Sequence, residues 1–188
     1  MSKKIIITGG LGYIGTELCK LYSGVSWHHK IKVIDNRFIS ERVNQIRNWN
    51  MDFIQGDILD KDFIKEHLSD AEVVHHLAGI TDVPRVKSQA SDIQDKKIIK
   101  VAEEGTQNIL NVISDKCKII FPSTHVVFEG IGNVKTEIQE DEITKPVLSY
   151  SSSKAINEKQ LKNSGKNYII LRLGSVYGYS TDSMRIDI

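Results

Sequence analysis

Tyr150 and Lys154 stand four residues apart in the stretch LSYSSSK at 148–154, a spacing that puts a phenol and an ammonium one turn apart on a helix. The chemistry on offer is proton abstraction. A phenol with a pKa of about 10 acts as a base at neutral pH only where a nearby positive charge holds its anion. The chain has six tyrosines, and chance alone supplies roughly half a Tyr-x-x-x-Lys pair. The weight therefore falls on whether the preceding residues build a place for a reactant.

The strongest of these is TGGLGYIG at 8–15. Gly10, Gly12 and Gly15 fit G-x-G-x-x-G, with Gly9 just before them and Tyr13 and Ile14 inside the pattern. Placed between an apolar run and a helix-like stretch, such a loop turns tightly, brings backbone N–H groups close to a pyrophosphate and sets a helix N-terminus against its charge. Asp35 closes the second apolar run in VIDNRF, followed by Asn36. A carboxylate there accepts hydrogen bonds from both ribose hydroxyls and repels a 2′-phosphate, which favours NAD over NADP. Arg37 softens that preference by reaching towards a phosphate.

The elements that must position these residues follow from the apolar pattern. Short β-branched runs at 4–8, 32–35, 52–55, 72–77, 118–122 and 168–173 read as six buried strands. Helical patterns occupy 13–23, 61–68, 94–113 and 150–163, while 37–50 reads as loop with one helical turn. Strands that are apolar throughout and alternate with helices define an α/β fold, a doubly wound parallel sheet covered on both faces by right-handed crossovers. With no repeat and no Pro-rich linker, residues 1–188 read as one domain.

Composition narrows the partners. A formal net charge of +1 gives no general attraction to nucleic acid or to an anionic membrane. Cys19 and Cys117 are far apart and belong to no Cys/His cluster, so buried thiols are expected and a metal site is not. The apolar run after the N-terminal lysines is three residues, Ile5, Ile6 and Ile7, too short for a signal peptide. A cytoplasmic protein is the expectation. His75, His76 and His125 are read as packing residues rather than ligands.

TGGLGYIG, GDI at 56–58, HLAG at 76–79, STHVVFEG at 123–130, YSSSK and LRLGSVYG at 171–178 together resemble the extended short-chain dehydrogenase/reductase family, in particular its nucleotide-sugar epimerase and dehydratase type. The resemblance runs through the whole chain in the family's order. It implies a sheet of strand order 3-2-1-4-5-6 and NAD as cofactor, held by Gly9, Gly12, Tyr13, Ile14, Gly15, Asp35, Asn36, Asp57, Ile58, Leu77, Ala78 and Gly79 together with Tyr150 and Lys154. It also implies Thr124, Tyr150 and Lys154 as catalytic residues, Thr124, Ser175 and Arg185 as substrate contacts, and a homodimer formed through the helices at 94–113 and 150–163.

The family's dehydratases carry an Asp-Glu pair after the catalytic Thr, where this chain has His125 and Val126. The expected activity is therefore inversion at C4 of a nucleotide-linked hexose through a transient 4-keto sugar. The alternatives are a 4-keto-sugar reductase, which Phe128 and Glu129 resemble, and a non-catalytic NAD-binding module. Ala102 and Ser175 stand where many relatives have Asn. The resemblance also implies a C-terminal portion, building most of the sugar pocket, that lies beyond Ile188.

Overall fold

The computed structural model describes residues 3–25, 30–81, 92–132 and 137–178. Six parallel strands, β1 (Lys4–Thr8), β2 (Lys30–Asp35), β3 (Asp52–Gln55), β4 (Val73–His76), β5 (Lys118–Thr124) and β6 (Asn167–Leu173), form one sheet in the order β3-β2-β1-β4-β5-β6. The expected strand order is the observed one. It reverses direction between β1 and β4, and in open α/β sheets that switch point opens a crevice at the carboxyl ends of the strands.

Alternation along β1 builds the two cores. Ile5 and Ile7 point to one face, where Ile31 and Val33 of β2 meet Cys19 of α1 (Tyr13–Val25) and Val43 and Ile46 of α2 (Ser40–Asn48). Ile6 points to the other, where Ile34, Val74, Ile119 and Phe121 meet the buried residues of α3 (Lys61–Leu68), α4 (Asp92–Val112) and α5 (Ser149–Asn163). Asp60 caps α3, its carboxylate accepting from the N–H groups of Asp62 and Phe63.

Two local expectations are corrected. Residues 37–50 are not loop with one turn: α2 runs nine residues through them. Only Val43 and Ile46 give it an apolar stripe, and the third residue of its buried face is Arg42, which a hydropathy pattern scores as surface. β3 and β6 are not buried strands: no residue of β3 is buried, and in β6 Tyr168, Ile169 and Leu171 are 37%, 39% and 44% exposed. Among the described residues β6 pairs with β5 alone and is the last strand in the order.

Both cysteines are buried, and burial pushes the Cys19 thiol up to about 12 and the Cys117 thiol up to about 11. Among the described residues no helix is long and apolar enough to cross a membrane, and no three His, Cys, Asp or Glu side chains gather as a metal site requires.

Candidate functional site

The loop between β1 and α1 turns against the exit of β4. Gly9 has φ 69°, and a Cβ there would lie 2.6 Å from the Ala78 nitrogen. At Gly15 a Cβ would come within 2.4 Å of the Gly9 carbonyl oxygen, so the helix starts in backbone contact with the turn. Gly12 is different: a Cβ would meet only the Gly9 oxygen at 3.2 Å and the Arg37 guanidinium at 4.0 Å. The first-turn N–H groups of α1, at Tyr13, Ile14 and Gly15, lie beside it, where a helix offers no internal acceptor. A glycine-walled cradle next to free helix N–H groups fits a pyrophosphate, so the residues present fit the dinucleotide that the sequence implies. Gly9→Ala adds both the left-handed strain and the clash with the Leu77–Ala78 backbone. It is expected to destabilise the chain by about 2–4 kcal/mol, read by urea denaturation.

At the end of β2, the buried Asp35 carboxylate ties the loop down. Its Oδ2 accepts from the Leu11 N–H at 3.0 Å and its Oδ1 from the Arg37 N–H at 3.0 Å. The Arg37 side chain adds Nε to Oδ1 at 3.1 Å and Nη2 to Oδ2 at 3.3 Å. The other side of the Leu11 peptide is held by Arg42, whose Nη1 donates to the Leu11 carbonyl. Sequence reading missed Arg42 because α2 itself was missed. The signal was present: Arg42 shares a helix face with Ile46, four residues on, beside Val43.

Asn36 is exposed and donates Nδ2 to Asp57 Oδ2 at 3.4 Å, while Asp57 Oδ1 accepts from the Leu59 N–H at 2.9 Å. The side chain of Ile58 lies in the core against Gly105, where a Cβ would come within 2.3 Å of Ile58 Cδ1. Leu77 and Ala78 are half-buried and Gly79 is exposed at the mouth of β4. Asp35, Asp57 and Ala78 thus stand on one side of the sheet, at the carboxyl ends of β2, β3 and β4.

The catalytic candidates lie across the switch point. Tyr150 is in the first turn of α5, and Lys154 one turn on, with Nζ 5.9 Å from the Tyr150 ring centroid. The Lys154 residue is only 8% exposed; Nζ donates to the Pro122 carbonyl at 2.9 Å and sits 4.6 Å from the Phe121 ring centroid. Thr124 ends β5, its Oγ1 accepting from the Val126 N–H at 3.4 Å, which leaves the hydroxyl proton for another acceptor. A 3₁₀ turn, His125–Phe128, follows. Tyr13 Oη donates to the Gly178 carbonyl at 2.9 Å, linking the glycine loop to the segment after β6, where Ser175 is exposed. Arg185 lies outside the described residues.

Burial pushes the Lys154 ammonium down to about 8. Between pH 8 and the ordinary lysine value the unfolded chain binds the extra proton, so stability rises with pH across that window. Below about pH 8 both states are charged and the burial penalty, about 3 kcal/mol, is constant. Lys154→Met is accordingly expected to raise the unfolding free energy by about 2 kcal/mol at pH 7, after loss of the Pro122 bond, with the gain shrinking above pH 8. Denaturant titrations at pH 7 and pH 10 check both the sign and the window.

A buried polar chain braces the two halves. Thr8 Oγ1 meets His76 Nδ1 at 3.0 Å, and His76 Nε2 meets Thr106 Oγ1 of α4 at 2.9 Å. Asn157 of α5 then donates to Thr106 Oγ1 and to the Ala102 carbonyl, both at 2.8 Å. Burial, with the Lys154 charge nearby, pushes His76 down to about 3, so its imidazole is neutral. His75 is likewise lowered to about 4 by burial and meets Tyr22 Oη at 2.8 Å. Glu129 holds the start of α5, accepting from the N–H groups of Val147 at 2.6 Å and Leu148 at 2.7 Å and from the Ser151 hydroxyl.

A parallel sheet with a glycine loop, an acidic second-strand end and a Thr, Tyr and Lys set around its switch point defines an extended short-chain dehydrogenase/reductase. Residues 6–184 match the 3-beta hydroxysteroid dehydrogenase/isomerase family, and the chain belongs to it. Over 187 residues it is 29% identical to the UDP-N-acetyl-alpha-D-glucosaminuronate decarboxylase of Bacillus cytotoxicus, covering 95% of this chain and 56% of that one. It is 27% identical to the dTDP-D-glucose 4,6-dehydratase of Dictyostelium discoideum, covering 94% of this chain and 44% of that one. Among solved structures, UDP-glucose 4-epimerase from Brucella ovis in complex with NAD superposes with a TM-score of 0.73 at 26% identity, covering 91% of this chain and 51% of that one. The chain spans about half the length of the curated relatives it matches.

Proposed function

We propose that this chain is the NAD-binding and catalytic part of an enzyme acting on a nucleotide-linked sugar, inverting C4 of an NDP-hexose through a transient 4-keto sugar. The observation that carries the reading is the buried Lys154 ammonium beside Tyr150, at the end of the strand that bears Thr124. Bound NAD supplies a hydride acceptor for the sugar carbon. Tyr150 takes the hydroxyl proton from that carbon's oxygen, with its phenolate favoured by Lys154, and Thr124 donates to the same oxygen and fixes its position. Gly12 and the first turn of α1 take the pyrophosphate, and Asp35 the adenosine ribose.

The relatives named above decarboxylate, dehydrate and epimerise nucleotide sugars at similar identity, so the choice rests on residues. His125 is exposed with Nδ1 3.2 Å from the Leu173 carbonyl oxygen, and Val126 is apolar. No acid and base pair follows Thr124, which supports epimerisation over loss of water. A second reading, a 4-keto-sugar reductase, is favoured by Phe128 and Glu129 after the hydroxyl-bearing strand.

The test is to incubate the protein with NAD and UDP- or dTDP-hexoses and to follow interconversion of the C4 epimers by chromatography. Interconversion without net consumption of cofactor supports the epimerase. Stoichiometric oxidation of NADH or NADPH with a 4-keto sugar replaces it by the reductase, and NAD binding with neither reaction, even in the longest native chain, replaces both by a non-catalytic module.

A further inference from the structure

Every acceptor position on Asp35 is filled from within the chain. A carboxylate offers about four lone-pair positions, two on each oxygen. Oδ1 takes the Arg37 N–H at 3.0 Å and Arg37 Nε at 3.1 Å; Oδ2 takes the Leu11 N–H at 3.0 Å and Arg37 Nη2 at 3.3 Å. The two backbone donors are built into the turns on either side, and Leu11 is further held by Arg42 through its carbonyl. The two guanidinium bonds are the replaceable ones. They use one position on each oxygen, which is the pattern a vicinal ribose diol makes when it donates one hydroxyl to each.

We propose that Arg37 competes with the cofactor's adenosine ribose for Asp35 and thereby sets the discrimination between NAD and NADP; this rests on the dinucleotide site described under the proposed function. The diol of NAD reaches Asp35 only after the guanidinium leaves. A 2′-phosphate has no such requirement. With Nε and one Nη2 hydrogen committed to Asp35, the Nη1 hydrogens and the second Nη2 hydrogen are left on the outer edge of the guanidinium. They suit a phosphate, whose repulsion by Asp35 the intervening cation offsets. The side chain is free to exchange between the two arrangements: Arg37 is 51% exposed while Asp35 is 4% exposed. Its guanidinium also lies at the open side of Gly12, so it stands at the entrance to the same cradle.

Removing Arg37 should then move the two affinities in opposite directions, which loss of a merely attractive surface cation does not do. The experiment is calorimetric titration of the purified chain, wild type and Arg37→Ala, with NAD and separately with NADP, at low and at physiological salt. NAD is expected to bind about two- to fivefold more tightly to Arg37→Ala, the range set by an exposed ion pair. NADP is expected to bind about tenfold more weakly, and its loss should shrink as salt is raised. Arg37→Lys keeps the charge but not the fork; it should gain NAD affinity while keeping most of the affinity for NADP. Weaker NAD binding by Arg37→Ala, or no change with either cofactor, overturns the competition. Absence of binding of both cofactors to wild type and variant alike, with circular dichroism showing folded protein, overturns the dinucleotide site itself and the competition with it.

Discussion

On the proposed mechanism, Tyr150→Phe is expected to leave the fold nearly unchanged and to lower turnover of the nucleotide sugar by the full-length protein about 10²–10⁴-fold, the range for loss of a positioned general base. The substitution deletes one oxygen from a half-buried ring and keeps the contact that the ring face makes with Lys154 Nζ, 5.9 Å from its centroid. The ammonium stays where the Pro122 carbonyl and the Phe121 ring hold it. The loss should appear in kcat, with KM moving little, because the phenolate is needed when the proton leaves and not when the sugar binds. Thr124→Val is the companion: on the proposed mechanism its hydroxyl holds the oxygen equally in ground and transition states, so the loss should appear as a raised KM with kcat nearly unchanged. Unchanged turnover in Tyr150→Phe removes the base from the mechanism. A rise in KM alone makes Tyr150 a positioning residue for the sugar.

The parts of this site that could be read in the sequence are those whose chemistry is local. The glycine loop, Asp35 twenty residues beyond Gly15, and the Tyr-x-x-x-Lys spacing each lie within one strand–turn–helix unit, where periodicity and turn chemistry leave few alternatives. The parallel sheet followed from apolar runs separated by helices, and its strand order from the family's pattern alone. What stayed hidden depends on side chains from distant elements. Nothing along the chain says that Arg42 reaches back to Leu11, or that Arg37 fills the carboxylate two residues before it. Ile58 shows the same limit in reverse. The resemblance implied that Ile58 helps to hold NAD, and nothing along the chain says that its side chain lies in the core in the gap that Gly105 leaves on α4. α2 was lost because two apolar residues in nine do not outweigh its polar composition, although burial of Val43 and Ile46 against β1 and β2 is what forms it.

The polar residues under the site behave as a frame. His76 is hydrogen-bonded at both ring nitrogens and neutral, so it joins β1, β4 and α4 without charging the core. Asn157 extends the frame to α5 one turn beyond Lys154. Thr8 precedes Gly9, and its hydroxyl also accepts from the Ala78 N–H at 3.3 Å. One connected set of hydrogen bonds therefore runs from the glycine loop to the helix carrying Tyr150 and Lys154. Glu129 closes it from the other side: burial alone would raise its pKa, but the Ser151 hydroxyl and the Leu148 and Val147 N–H groups outweigh burial and hold the carboxyl below its ordinary value.

Glu158→Ala is expected to remove about 3–5 kcal/mol of stability, the cost of breaking a buried ion pair by deleting one partner. With total stabilities of about 5–15 kcal/mol, that is enough to bring the chain close to unfolding at room temperature. The Glu158 side chain is 3% exposed; Oε1 accepts from Ser123 Oγ at 2.6 Å and Arg172 Nε at 3.0 Å, and Oε2 from Arg172 Nη2 at 2.7 Å. Burial alone would raise its pKa, yet the bonds from Arg172 and Ser123 and the charges of Arg172 and Lys162 hold it lowered. Stability from this carboxylate is therefore present above the unfolded value of about 4.3 and lost as pH falls through the folded one. Deleting Glu158 leaves Arg172 with the Glu140 carbonyl at 2.6 Å, the Phe128 ring at 4.8 Å and the more distant charge of the exposed Glu140, and takes away the carboxylate that is hydrogen-bonded to it. The double variant Glu158→Met with Arg172→Leu removes both charges and keeps the volume, so it should recover most of the loss. Urea denaturation of the single and double variants at pH 7 measures the coupling. A single variant within 1 kcal/mol of wild type, by about the worth of an exposed pair, would show that the pair is solvated and does not fasten α5 to β5 and β6.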